Sequence, residues 1–420
     1  MVMKKLRSLL LILFILVLIV SSVSCAALPA KNHAQVTLDL IAMLDRDPKL
    51  EKMLEESIAK AKAINPDPET NPAQSLEKFY DFMDWSSKCM PWNVLGKDYP
   101  TLYEHIDQSV DYFWFLLDQP LDELKECGYY YPSLQYHEPI ASWCRKYAET
   151  WGAFLSTPES WNDKYWKLAY EDERFGMEKG WYSDTNIWTS YNDFFSRHLT
   201  DPSVRPIADS EVVAPADSTP QGIWAIDDEG QLAQHEGVQI KSGTFNSIKD
   251  LIGSGSAYAD SFKGGTLTHT FLDVNDYHRY HFPVSGTVKE VRKIEAFNAA
   301  GGITVWNADT GRYVLEDTIP GWQMLETRDC VIVDTGEYGL VAILPIGMSQ
   351  ICSCNWEDSV TVGAKVKKGD PMGYFLFGGS DIVMVFQSSV KVDLIPEQKS
   401  NGTCDHLLMG EAYAALTKAD

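Results

Sequence analysis

The text of the chain changes period near Asp201, and that change constrains the fold more than any other feature. Before it, apolar residues recur at helical spacing: Leu38, Ile41 and Leu44, then Leu50, Met53, Leu54 and Ile58, with Asp47-Pro48 between the two runs. Residues three and four apart share one helix face, so these positions read as buried stripes. The Asp-Pro pair ends one helix and opens the next. Residues 66–72 are turn-rich, and the aromatic-rich stretches 76–85, 102–117 and 140–155 read as further helices whose rings fill a core. After Asp201, Pro202, Pro206, Pro215 and Pro220 punctuate a linker. Short β-rich runs separated by glycine follow, at 266–272, 286–294, 330–334, 340–345, 365–377 and 382–386. That rhythm belongs to an all-β region. The chain is expected to be α+β, with a mainly helical domain over 35–199 and a β-rich, sandwich- or barrel-like domain over 200–420.

A length of 420 residues, with 45% hydrophobic and 23% charged, suits two globular units with a sizeable core. Net charge is -23, from 36 basic and 59 acidic residues. Such a field repels phosphate backbones, which argues against a nucleic-acid partner and against electrostatic adsorption to anionic lipid.

At the N-terminus, Lys4, Lys5 and Arg7 precede an apolar run from Leu9 to Val20, followed by Ser21, Ser22, Ser24, Cys25, Ala26 and Ala27. This order of charged, apolar and small residues is that of a secretory signal over 1–27, so an extracytoplasmic location is expected. Three outcomes stay open: removal near Ala27, lipidation of Cys25, or retention as an anchor giving membrane contact. The seven remaining cysteines are odd in number, and Cys352-x-Cys354 lacks a second pair at zinc-finger spacing, so they read as mainly structural. Asn401-Gly-Thr403 is a glycosylation sequon.

Four segments carry the chemistry. They are 191–197 with Arg205-Pro206, 213–217 ending at Asp217, 276–283 containing His278 and His281, and 377–381 containing Ser380. Asp217, His281 and Ser380 supply an acid, a base and a hydroxyl, the parts of an activated nucleophile. On residue types alone, nine histidines and 59 acids make such sets common, and two histidines three apart would face opposite sides of a strand, leaving one exposed. Gly378-Gly379 before Ser380 is more specific. No side chain shields the Gly379 carbonyl, and glycine tolerates the strained backbone that intramolecular attack requires.

Together these segments resemble those of the phosphatidylserine decarboxylases, in the same order: Phe194-Phe195-Ser196-Arg197 with Arg205-Pro206, the turn Pro215-Ala216-Asp217, the strand Tyr277-His278-Arg279-Tyr280-His281-Phe282-Pro283, and Gly379-Ser380. The resemblance spans about half the chain, from Tyr191 to the C-terminus. The helical portion is similar to the extra domain of a subgroup that includes fungal tryptophan decarboxylases.

The resemblance implies a chain that cuts itself between Gly379 and Ser380. Asp217, His281 and Ser380 would form the processing triad, with Asp217 fixing the His281 tautomer. The cut converts Ser380 into a pyruvoyl cofactor at the head of the fragment 380–420, which stays as a partner of the remaining chain. That group acts as an electron sink for decarboxylation of an amine-bearing carboxylate. His278 would move a proton at the substrate stage. The implied substrate is phosphatidylserine, with a free aromatic amino acid such as tryptophan as the alternative; no metal is expected.

One departure stands out. Family members often carry Thr or Ser after the cleaved serine, whereas this chain has Asp381, whose carboxylate would disturb the oxyanion forming beside it. Two rivals remain open: a zinc hydrolase, which would need a third ligand beside His278 and His281, and a binding module whose processing Asp381 has blocked.

Overall fold

The computed structural model describes residues 32–89, 106–129, 131–232, 238–240, 243–245, 247–296, 302–316, 324–347, 353–377, 380–397, 399 and 404–419. Residues 1–27, read above as a secretory signal, Gly378-Gly379, Cys352 and the sequon 401–403 lie outside the described residues. No helix among the described residues is long and apolar enough to cross a membrane.

Helices Gln35–Leu44, Pro48–Ile64, Leu76–Ser86, Ile106–Leu117 and Ile140–Leu155 build most of the N-terminal portion. The break at Asp47-Pro48 has a local cause. The Asp47 carboxylate accepts the backbone N–H groups of Lys49 and Leu50, each at 3.1 Å, and Pro48 takes the first helical position, where its missing N–H costs nothing. The first helix differs from its expected face. It buries Val36, Leu40 and Leu44, while Leu38 is 41% exposed. The Trp143 indole N–H donates to the Val36 carbonyl at 2.9 Å, so packing against helix Ile140–Leu155 selects that face.

The β region centres on a seven-stranded antiparallel sheet. Its spatial order is Lys365–Val366, Gly286–Ile294, Arg328–Asp334, Leu340–Gly347, Ser380–Phe386, Thr266–Leu272 and Thr219–Ala225. A three-stranded sheet joins Val212–Val213, Ala412–Lys418 and Val390–Leu394, and another joins Cys354–Trp356, Pro371–Phe375 and Arg279–His281. The expected single run 365–377 is thus two strands in different sheets. The turn between them closes where Asp370 N–H donates to the Lys367 carbonyl and its carboxylate accepts Lys367 N–H at 2.7 Å, with Gly369 at φ 82°.

Strand Ser380–Phe386 is buried at every position, because the sheet is covered on both faces. Ile382, Met384 and Phe386 join one core with Leu272, Val341 and Ile343; Val383 and Val385 join a second with Leu267, Leu344 and Ile346. The first core continues into the helices. Asn65 donates to the Tyr313 hydroxyl at 2.9 Å, and Thr304 N–H donates to the buried Asp118 carboxylate at 3.0 Å.

Candidate active site

Ser380 opens its strand, paired with Gly347 on one side and Leu272 on the other. One residue along, Asp381 faces Phe271, which faces Thr219 on the next strand. Asp217 lies two residues before Thr219, so at a strand spacing of about 4.8 Å it sits two strands from Ser380 at the same end of the sheet. The chain leaving Leu272 returns through residues 273–278 into Arg279–His281, and His281 N–H donates to the Pro215 carbonyl at 2.7 Å. The register therefore gathers all four sequence-derived residues at one end of the fold.

Ser380 is 1% exposed, and its Oγ has no hydrogen-bond partner among the described residues. A buried hydroxyl without a partner is costly, so an orphan at this position calls for a chemical reason. The segment before it is anchored to the helical portion. Phe377 N–H donates to Asn192 Oδ1 at 3.1 Å, and the Phe377 ring meets Trp151, Tyr191 and Phe195 edge-on.

Both histidines are buried, although strand alternation alone would turn one outward, because the strand begins at Arg279 and its alternation does not reach His278. The His278 ring stacks on Phe195 at 3.8 Å, and its Nδ1 lies 2.9 Å from the Asp276 carbonyl. Burial, then the nearby Arg197 charge, holds its pKa well below the ordinary histidine value. A carbonyl can only accept, so the neutral ring carries its proton on Nδ1 and leaves a basic lone pair on Nε2. His281 is arranged alike. Nδ1 lies 2.9 Å from the Gly369 carbonyl, Nε2 accepts from the Tyr277 hydroxyl at 3.2 Å, and burial lowers its pKa.

Asp217 is not hydrogen-bonded to His281. Its carboxylate receives Arg205 Nε at 3.1 Å and Nη2 at 2.6 Å, and Met409 N–H at 2.7 Å. Arg205 in turn stacks on Trp181 at 4.0 Å. The His281 tautomer, expected to be fixed by Asp217, is fixed by the Gly369 carbonyl. Asp217 acts on His281 through its charge, which favours the protonated ring and offsets part of the burial effect. Arg205 was visible in the sequence as part of a motif; its role follows from the rule that a buried carboxylate needs a partner. Gly369 and Tyr277 left no comparable sign.

A pocket of ≈ 340 Å³ opens beside these groups, lined by Asp217, Tyr277, Phe271, Trp181, Tyr182, Lys179 and His406 among others. His406 pairs with Asp276 at 2.9 Å, which raises the histidine's pKa. Asp217 and Tyr277 reach this wall; Ser380, His278 and His281 do not. Among the described residues, no group of three His, Cys, Asp or Glu side chains could hold a metal ion.

Comparison with known proteins adds what geometry alone leaves open. The phosphatidylserine decarboxylase family matches residues 191–415. The phosphatidylserine decarboxylase proenzyme of Clostridium perfringens strain SM101 is 32% identical over 273 residues, covering 64% of this chain and 84% of that protein. The L-tryptophan decarboxylase of Psilocybe cyanescens is 25% identical over 310 residues, covering 65% of this chain and 68% of that protein. These relatives make the chain a carboxy-lyase. The chain belongs to the phosphatidylserine decarboxylase family.

Proposed function

We propose that the chain cuts itself between Gly379 and Ser380 and then decarboxylates phosphatidylserine. The observation that carries this reading is the Ser380 hydroxyl, buried and without a partner among the described residues, at the head of a central strand in a chain of this family. A pyruvoyl group formed from residue 380 fits that position. The hydroxyl from which it derives is engaged with nothing else described, and the strand ladder holds the residue after cleavage.

In this reading the Ser380 proton passes to a neutral imidazole, with His281 Nε2 as the base once it has released the Tyr277 hydroxyl that it accepts in this structure. Ser380 Oγ bonds to the Gly379 carbonyl carbon, the 379–380 amide bond breaks, and its nitrogen takes the proton, leaving an ester. Loss of the Ser380 Cα proton and cleavage of the Cβ–O bond free the Gly379 carboxylate. Tautomerisation and hydrolysis of the remaining enamine release ammonia. Asp217 favours the imidazolium by its charge. The group so formed supplies an electron sink for the carbanion left when CO₂ departs. His278 Nε2, a lone pair in an apolar surrounding, handles a proton at the substrate stage.

A second substrate has one observation in its favour. The pocket wall carries Trp181, Tyr182, Phe271 and Tyr277, aromatic faces suited to an aromatic side chain, and an L-tryptophan decarboxylase is among the chain's relatives. Matured protein given phosphatidylserine in detergent micelles, and separately a panel of free amino acids, distinguishes the two by CO₂ release. Turnover of the lipid is the expected result; turnover of tryptophan alone overturns it. The segment from Lys4 to Ala27 supports an extracytoplasmic, membrane-adjacent location, which fractionation of producing cells tests.

A further inference from the structure

We propose that His269 is a positioning residue for self-cleavage, acting through Asp381. This rests on the self-cleavage reading above.

Asp381 follows the cleaved serine and is fully buried, with 0% exposure; His269 is 5% exposed. Their side chains meet at ion-pair distance, Asp381 Oδ1 lying 3.0 Å from His269 Nε2, without the alignment of a hydrogen bond. The register explains why. Asp381 stands opposite Phe271 and Val383 opposite His269, so His269 and Asp381 are diagonal neighbours on one face of the sheet. Ser380 and Ile382 alternate to the other face. Ile382 and Val383 belong to different cores, which confirms that the two faces are separate compartments.

The pairing answers the difficulty that Asp381 raises. Attack on the Gly379 carbonyl builds negative charge beside the scissile bond, and a buried carboxylate one residue away would oppose it. A carboxylate with no counter-charge would also protonate or pull the strand toward water, and Ser380 would move with it. His269 meets both demands. As an imidazolium it cancels the charge, and in either state it holds the carboxylate on the face away from the serine hydroxyl. Asp381 is thereby compatible with cleavage because His269 is on the next strand.

The test follows the appearance of the fragment 380–420 by denaturing mass spectrometry, which reads cleavage without relying on decarboxylase turnover. Four variants of the full chain are compared with wild type: His269→Ala, His269→Gln, Asp381→Thr and the double His269→Ala/Asp381→Thr. Thermal melting of each checks that the chain has folded. His269→Ala should cleave at least about tenfold more slowly. His269→Gln, whose amide offers the carboxylate a polar neighbour without a charge, should recover part of the loss. Asp381→Thr should cleave near the wild-type rate, and the double variant should do the same, since removing the carboxylate removes the need for its partner. Wild-type rates in His269→Ala would overturn the proposal, as would a double variant as slow as His269→Ala. A wild-type chain that never cleaves would instead overturn the self-cleavage reading beneath it.

Discussion

The backbone N–H of Phe377 donates to Asn192 Oδ1 at 3.1 Å, so a five-residue helix of the N-terminal portion holds the approach to Ser380. The same Asn192 amide donates to Ser156 Oγ at 2.9 Å, at the end of helix Ile140–Leu155. The helical portion therefore anchors the chain at Phe377, three residues before Ser380, as well as covering the sheet. Asn192→Ala should slow appearance of the fragment by about tenfold, the effect of losing one hydrogen bond to a buried donor, about 1.4 kcal/mol. Time-resolved denaturing gels, with melting temperature as a folding control, would check this.

Ser380→Ala should remain a single chain, because alanine has no nucleophile. Wild-type protein should yield fragment 380–420 lacking a free amino terminus. Intact mass under denaturing conditions reads both, and a wild-type chain intact after prolonged incubation would contradict the prediction.

The two histidines should separate by stage. His281→Ala should block cleavage. His278→Ala should cleave and then lose about 10²–10⁴-fold in turnover, the common cost of removing one proton-transfer group. An uncut His278→Ala chain would reverse the assignment.

Arg205→Ala should be among the most damaging single changes in the β region. It leaves the Asp217 carboxylate, 3% exposed, without its bidentate partner, and breaking one side of a buried ion pair costs about 3–5 kcal/mol. Arg205→Lys should rescue only part, because an ammonium cannot reproduce the fork on the carboxylate or the stacking on Trp181. Denaturant unfolding of the uncut Ser380→Ala background measures this without interference from chain scission.

Acid should destabilise the fold through the same buried histidines to which the proposal assigns proton transfer. His278 and His281 both have pKa values lowered by burial, so below about pH 6.5 the unfolded chain binds protons that the folded chain refuses. Stability then falls with decreasing pH, by about 1.4 kcal/mol per unit for each such group until its folded pKa is reached. His406 acts in the opposite sense, since its pairing with Asp276 raises its pKa. The informative measurement is the difference in melting temperature between wild type and His278→Gln across pH 5–7, where the variant should show the shallower slope.

How far the sequence could be read depended on how local each signal was. Helix Ile140–Leu155 and strands Thr266–Leu272 and Gly286–Ile294 fall where the residue pattern places them, since periodicity and turn residues act within a few positions. The face of the first helix does not, because Trp143, more than a hundred residues away, decides it. At the site, Ser380 and the two histidines stood out through their neighbours in sequence. The Gly369 carbonyl that sets the His281 tautomer could not, since any residue offers a carbonyl and only the turn after Val366 aims this one. Asp381 read as an obstacle because its partner His269 belongs to a different strand.

Strand Ser380–Phe386 lies inside the large sheet, between Leu340–Gly347 and Thr266–Leu272. If the chain is cut before Ser380 as proposed, a middle stave of that sheet belongs to a separate, short polypeptide. The mature protein therefore carries a memory of an order of events that its two pieces cannot repeat. The sheet can be threaded only while the stave is covalently attached, because the intact chain meets its partner strands at high effective concentration. After unfolding, the two pieces would have to find each other by diffusion, with the apolar run 382–386 exposed to aggregation. The uncut Ser380→Ala protein should return from denaturant in good yield, and the matured protein should not. Scission thus turns an equilibrium fold into one maintained by the slowness of its unfolding.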